Sequence, residues 1–537
     1  MRTRLLALLT LVVGLLAVPS PATAALVPTP VVPTPVVSGP VAATTPVGDP
    51  GHGYPFLATD VDLAAAGYVE EEFFVSGTAT RYATSGTATA TVVSTGHPYT
   101  TRIVVRRPMV GKAFNGVVVA EWLNVSNQWD QEVDWFQSHE HFLRAGYAWV
   151  GVSAQRAGVH SATGLKAWSP GRYGALDVTA GGTINDDSLS YDIFSQAVRA
   201  VPLGPLPRPS LVIATGHSQS AGRLASYYNG IHPLAGVVDA VVLHGGGGVL
   251  RTDLATKVFR INSEGDVASG ILPAAARAQA DSPVLRAWEV AGASHGDWKL
   301  ITDYGPLRKR DIGTYPGGYP GEPQTCALPS LSRVPQHMVQ NAVYDHSVAW
   351  ITRGVPPPTA PKIAMTGTAV ARDELGLSLG GIRLPQHEVP LRVNSGSNTG
   401  PGFCFLDGSS VPLSEPQLAA LYPTVWSYAA PSVAATSAAV RSGYVPRTVS
   451  RDPAWYSDLR DLIADHAAAG RITPEAAKSL GTLLREAERD GVAGRDLAAI
   501  VHLAQLSLHA TLRVPDAAAR TSVLRSTSAL SGVLALT

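Results

Sequence analysis

The stretch Leu211-Val212-Ile213-Ala214-Thr215-Gly216-His217-Ser218-Gln219-Ser220-Ala221-Gly222 constrains this chain more than any other. An apolar run of strand length ends at a serine, and a helix-compatible segment follows at once. A strand that turns this sharply into a helix lifts the serine hydroxyl above the sheet edge. It needs small residues two positions either side, so that the two backbones pass without clash. Gly216 meets that need before the serine, and Ser220 stands after it where glycine is usual. A pentapeptide with one departure is equally compatible with an ordinary strand-to-helix turn, so the flanking chain decides.

The flanks alternate between strand and helix. Near-continuous apolar runs at 116–124, 147–153, 239–243, 257–261 and 285–290 imply strands covered on both faces, the mark of a parallel sheet between helices. Helical spacing over 134–145 separates the first two, and a helix over 191–201 precedes the serine turn. Thr- and Val-rich runs between Tyr68 and Arg107, such as 88–93 and 100–105, are punctuated by Gly and Pro and predict antiparallel strands leading the domain. The fold class is therefore α/β: a mostly parallel sheet of hydrolase type with helices on both faces. A closing helix is expected over 336–353, and Gly/Pro-rich strands and loops over 359–450. From Asp452 the composition shifts to Ala, Leu, Arg, Asp and Glu. Amphipathic helices carrying Leu459, starting at Thr473-Pro474-Glu475, and running through Leu497 to Leu506 predict a small all-helical module.

The N-terminus has the three parts of a secretory signal: basic Met1-Arg2-Thr3-Arg4, apolar Leu5 to Val18, and an Ala-x-Ala end at Ala24. The apolar run is short for a bilayer span, with an uncleaved anchor as the alternative. Residues 25–50 repeat Val, Pro and Thr and predict an extended linker, which gives four segments: 1–24 signal peptide, 25–50 linker, 51–450 α/β domain, 451–537 helical module. Export would make Cys326 and Cys404 a disulfide, stabilising by roughly 4 kcal/mol through loop closure; two unpaired thiols are the alternative. Net charge is zero and only 15% of residues are charged, so no field favours nucleic acid or an anionic membrane surface. No later stretch has the length and apolarity of a transmembrane helix.

A serine hydroxyl attacks poorly until a base takes its proton, so an exposed Ser218 calls for a histidine and an orienting carboxylate later in the chain. Both occur in the order expected of such sheets. The strand ending at Ile261 runs into Asn262-Ser263-Glu264-Gly265-Asp266, and the strand ending at Val290 runs into a loop carrying His295. Ser218, Asp266 and His295 thus sit at the carboxyl ends of predicted strands, where a parallel sheet concentrates reactive groups. Glu264 is the alternative acid, helix capping is the bland role for Asp266, and His244, His337 and His346 are the rival bases. Oxyanion donors are expected from the backbone N–H of Gln219 and from the loop at Asn124 and Val125. His244-Gly245-Gly246-Gly247-Gly248 looks like an oxyanion loop but follows the serine, so it reads as a tight bend beside the site. His139 and His141 alternate without a carboxylate or cysteine at ligand spacing, and no phosphate-binding loop is present, so neither metal nor cofactor is expected.

These residues resemble a family of secreted bacterial α/β-hydrolase-domain proteins, poorly characterised and serine-esterase-like. The resemblance rests on Glu121-Trp122-Leu123-Asn124-Val125-Ser126, Gly151-Val152-Ser153-Ala154-Gln155, Ser190-Tyr191-Asp192-Ile193-Phe194-Ser195-Gln196, the serine turn, Gly381-Ile382-Arg383-Leu384-Pro385, and Cys404 with its loop. It covers about residues 50 to 450 and implies a serine-hydrolase fold with its triad at the positions above. Ala469 to Leu480 resembles the FIMAH type of helical module, which implies surface or protein contacts for the tail.

The expectation is a secreted serine hydrolase that cleaves a small-molecule or lipid-like carboxylic ester through an acyl-enzyme. The same triad serves acyl transfer or lactone hydrolysis equally well, and a hydrolase fold can also act as a non-catalytic binding scaffold.

Overall fold

The computed structural model describes residues 32–313 and 325–536. The predicted signal peptide and the first part of the predicted linker lie outside the described residues.

Nine strands form one sheet: β1 (Val36–Ser38), β2 (Tyr68–Ala83), β3 (Thr91–Pro108), β4 (Val117–Trp122), β5 (Ala148–Val152), β6 (Leu211–His217), β7 (Ala240–His244), β8 (Lys257–Ser263) and β9 (Leu285–Val290). Their spatial order is β1-β2-β3-β5-β4-β6-β7-β8-β9. From β5 to β9 every neighbouring pair is parallel, while β1, β2 and β3 join the edge antiparallel. β4, β5 and β7 are buried along their whole length, as strands covered by helices on both faces must be. The helices Val133–Ala145, Ser190–Arg199, Gln219–Ser226 and Gln336–Arg353 supply that cover.

Two local expectations change. The runs over 88–93 and 100–105 are not separate strands: from Thr91 on they lie in one long β3, whose bulge takes in Gly96 with φ 79°, since Ala79 pairs with His97 and Arg81 with Ser94, while Pro98 keeps its pairing with Thr78. The Val/Pro/Thr stretch is not wholly a linker. Val36 to Ser38 pair with Ser76 to Phe74, and Arg172 binds the carbonyls of Val41 and Ala42, so backbone pairing offsets the lack of apolar content.

One hydrophobic core runs from Tyr54 to Val449, and a second, separate core runs from Tyr456 to Leu534. The second belongs to four helices, Ala454–Ala468, Pro474–Val492, Asp496–Arg513 and Ala517–Leu534, with Thr473 capping the second as its Thr-Pro-Glu signature predicts. The supposedly irregular region holds a 17-residue helix, Val425–Arg441, that its small residues and internal Pro431 conceal. Arg333 stacks on Trp298 and pairs with Asp461 at 2.7 Å, tying the helical module to the sheet domain. Cys326 and Cys404 form a disulfide. No helix among the described residues is long and apolar enough to cross a membrane.

The antiparallel edge is fastened by buried charge. Arg106 on β3 pairs with Glu70 opposite it on β2 at 2.7 Å and with Glu132 at 2.5 Å, and its guanidinium lies 4.3 Å from the Trp135 ring and 4.6 Å from the Trp149 ring. Removing one member of a buried pair strands its partner without compensation. Arg106→Ala should therefore cost about 3–5 kcal/mol in urea unfolding. A loss below about 1 kcal/mol would show that this pair contributes nothing to the edge.

Candidate active site

Ser218 sits where β6 stops and the helix Gln219–Ser226 starts, with φ 60° and ψ −117°. A residue with a Cβ rarely holds that conformation, and it persists only where packing over-determines it. The packing is a close approach of strand to helix: a Cβ added to Gly216 would lie 3.1 Å from both the carbonyl carbon and the Cβ of Ser220. Ser220 is fully buried and lies against Gly216 of β6, so a serine is small enough where glycine is usual. The Ser218 N–H donates to the His244 carbonyl at 2.9 Å, fixing the turn to β7. The glycines after His244 make a bend of positive φ at Gly245, Gly246 and Gly247, passing close to Ser218.

Asp266 combines two roles. Ser263 and Asp266 form a capping box: Ser263 N–H and Oγ donate to Asp266 Oδ2 at 2.6 and 2.8 Å, and Asp266 N–H donates to Ser263 Oγ at 3.0 Å. With one carboxylate oxygen tied down, Oδ1 is left to meet His295 Nδ1 at 2.5 Å. Burial pulls the Asp266 carboxyl upward, but the imidazole and the Ser263 hydrogen bonds hold it below the usual aspartate range. It therefore stays ionised.

Glu264, the alternative acid, does not reach the imidazole. Its Oε1 accepts from Arg372 at 2.6 Å and from Gly396 N–H at 3.0 Å, and its Oε2 from Gly292 N–H at 2.8 Å, so it fastens three loops together. The other histidines are also occupied: His337 with Asp452 at 3.0 Å, His346 with the Gly443 carbonyl at 2.7 Å, and His244 with Asp134 at 2.8 Å.

His295 and Ser218 line one cavity of about 80 Å³. Three imidazoles sit together there, tilted against one another: the His217 ring centroid lies 4.3 Å from that of His295 at 35° and 4.5 Å from that of His244 at 58°. Burial, then His295 and His244, push His217 well below the ordinary histidine range, so an uncharged ring backs His295. Below it Asp134 accepts from Thr215 Oγ1 at 2.6 Å and Gln340 Nε2 at 2.5 Å. Glu121 accepts from the N–H groups of Asp134 and Trp135 and from Trp149 Nε1, at 2.9, 3.0 and 2.9 Å. Burial and the neighbouring Asp134 hold Glu121 well above the usual carboxylate range. Sequence patterning misses this layer, because polar residues inside apolar runs carry no periodic signal.

The loop after β4 separates its two expected donors. Asn124 is ruled out as the amide donor: its N–H donates to the Gln131 carbonyl at 3.0 Å. Its side chain instead shapes the loop, accepting from Ser126 N–H at 2.8 Å and donating to the His217 carbonyl at 2.9 Å. Among the described residues, the amides of Val125 and of Gln219, the first residue of its helix, have no partner.

The alternating histidines acquire carboxylates that sequence spacing does not suggest. His139, Glu140 and Asp303 bring their ligand atoms within 4.8 Å of one another. Lys299 Nζ reaches Glu140 at 2.5 Å and Asp303 at 2.6 Å, so an ammonium already bridges the two carboxylates and offsets one of their charges. His141 lies apart from it, 3.0 Å from Asp345.

Among solved structures, the chain is similar to a lidless α/β serine hydrolase from Xanthomonas campestris (15% identity, 44% of this chain and 93% of that one, TM-score 0.25). It is also similar to a glucuronoyl esterase from Teredinibacter turnerae (10% identity, 34% and 42%, TM-score 0.21) and to an uncharacterised protein from Capnocytophaga ochracea (11% identity, 80% and 94%, TM-score 0.25). Likenesses this distant carry no argument about substrate. No curated protein matches the chain in sequence. A sequence model of the alpha/beta hydrolase domain, in contrast, matches residues 37–452, and the chain belongs to that family.

Proposed function

We propose that this protein is a secreted serine hydrolase that cleaves carboxylic esters through an acyl-enzyme. The observation that carries the reading is the 2.5 Å contact between His295 Nδ1 and an Asp266 carboxylate already oriented by its capping box, on the cavity that Ser218 also lines. A carboxylate on Nδ1 fixes the tautomer that leaves Nε2 as the acceptor, which a general base needs. Ser218 Oγ then attacks the ester carbonyl as His295 takes its proton. The oxyanion is met by the N–H groups of Gln219 and Val125, and His295 returns the proton to the departing alcohol. Water repeats the sequence on the acyl-enzyme and frees the acid. The chain supplies every group this cycle uses, with no metal or cofactor in the scheme.

Export is part of the proposal. It rests on the basic, apolar, Ala-x-Ala N-terminus and on a disulfide between the chain's two cysteines, since disulfides persist in oxidising compartments. An exported chain recovered with residue 25 as its first supports cleavage after Ala24, and recovery of Met1 contradicts it.

With p-nitrophenyl acetate as substrate, Ser218→Ala should lower kcat by about 10⁴-fold or more, with the melting temperature unchanged. A rate within about tenfold of wild type would remove Ser218 from the chemistry. Asp266→Asn should cost about 10³–10⁴-fold, because the imidazole loses its orienting anion.

The same carboxylate should also be visible in stability. Its folded value lies below the usual 3.8, so its contribution is complete above that pH and is lost as pH falls through the folded value. Melting temperatures should therefore drop more steeply below pH 3.8 in the wild type than in Asp266→Asn, and parallel curves would contradict the linkage.

A further inference from the structure

The half-open space over Ser218 has two kinds of lining. Asn124, Ser126, Asn127 and Gln131 beside Val125 are polar, while Leu300, Ile301, Tyr304, Phe403 and Leu406 are apolar, with the Asp407 carboxylate next to Leu406. The volume is about 80 Å³. Pockets for drug-sized ligands run to about 300–1,000 Å³, so this space suits only a small group.

We propose that this space receives the acyl group and that Phe403 and Leu406 set its length, which makes the substrates esters of short acids, acetyl to butyryl in size. The proposal rests on Ser218 being the nucleophile. The acyl group stays bonded to Ser218 Oγ until water arrives, whereas the alcohol must leave, so the anchored apolar lining suits the group that remains.

The apolar lining is not free to retreat. Leu300, Ile301 and Tyr304 are buried on the helix Trp298–Asp311, and the Tyr304 hydroxyl accepts from Trp129 Nε1 at 2.8 Å. Leu406 belongs to the short turn Cys404–Asp407, which the disulfide to Cys326 ties down. The same turn is bonded to the loop that carries His295: the Gly296 N–H donates to the Leu406 carbonyl at 3.0 Å. Ser332 N–H donates to the Asp407 carbonyl at 3.1 Å. A wall anchored this way passes the cost of an over-long chain to the bound ester, since a packed apolar interior yields little. One misfitting methylene in such a pocket typically changes kcat/KM by about 10–200-fold.

The test is a series of p-nitrophenyl esters, acetate, butyrate and octanoate, which varies the acyl group at constant alcohol, assayed on the wild type, Phe403→Ala and Leu406→Ala. The wild type should favour acetate or butyrate over octanoate by about tenfold or more in kcat/KM. At least one variant should raise the octanoate-to-butyrate ratio by about tenfold, with melting curves confirming that each is folded. Leu406→Val, expected to give a smaller rise, serves if Leu406→Ala does not fold. Preference for octanoate in the wild type, or an unchanged ratio in every folded variant, overturns the proposal. A long-chain preference that Ser218→Ala abolishes contradicts only the assignment of acyl length. Absence of ester turnover in the wild type, or turnover that survives Ser218→Ala, contradicts the nucleophile itself.

Discussion

Everything at the site depends on one close approach, that of β6 to the helix it enters. Because the backbone at Gly216 lies against Ser220, the residue between them cannot relax out of φ 60°, and Ser218 is held there. The energy comes from elsewhere. β6 is the central strand of the parallel part of the sheet, paired with β4 on one side and β7 on the other, and Ser218 N–H is tied to the His244 carbonyl. A strained turn is sustainable because its flanks cannot move without breaking a sheet.

The same economy of groups recurs around it. The capping box of Ser263 and Asp266 both starts a helix and aims a carboxylate, and Glu264, two residues earlier, binds three loops. Asn124 gives up its own amide to Gln131 and thereby leaves that of Val125 without a partner. Beneath these lies a buried polar layer in which Asp134 serves His244, Thr215 and Gln340 at once. The layer leaves His295 backed by the neutral ring of His217.

The parallel strands and their order along the chain were legible because two-sided burial writes continuous apolar runs. So was the placement of Ser218, Asp266 and His295 just past the ends of β6, β8 and β9, because those ends run into short loops with few polar candidates. The bulged β3 hairpin was obscured by its own Gly96 and Pro98, and the helix Val425–Arg441 by small residues around Pro431. That Asp266 rather than Glu264 meets the imidazole, and that the Asn124 amide is paired while that of Val125 is not, turns on the direction of a side chain or an amide, which spacing does not encode. Nor does spacing bring Phe403 and Leu406 to Ser218: that juxtaposition comes from a disulfide-tied turn far along the chain.

The central claim is that Ser218 is an activated nucleophile, and covalent capture tests it most directly. Intact-protein and peptide mass spectrometry after exposure to a small alkyl fluorophosphonate should show one adduct, on Ser218, formed at a rate that collapses in Asp266→Asn. Absence of an adduct under conditions that label a known serine hydrolase, or an adduct on another residue with Ser218 unmodified, would contradict the account.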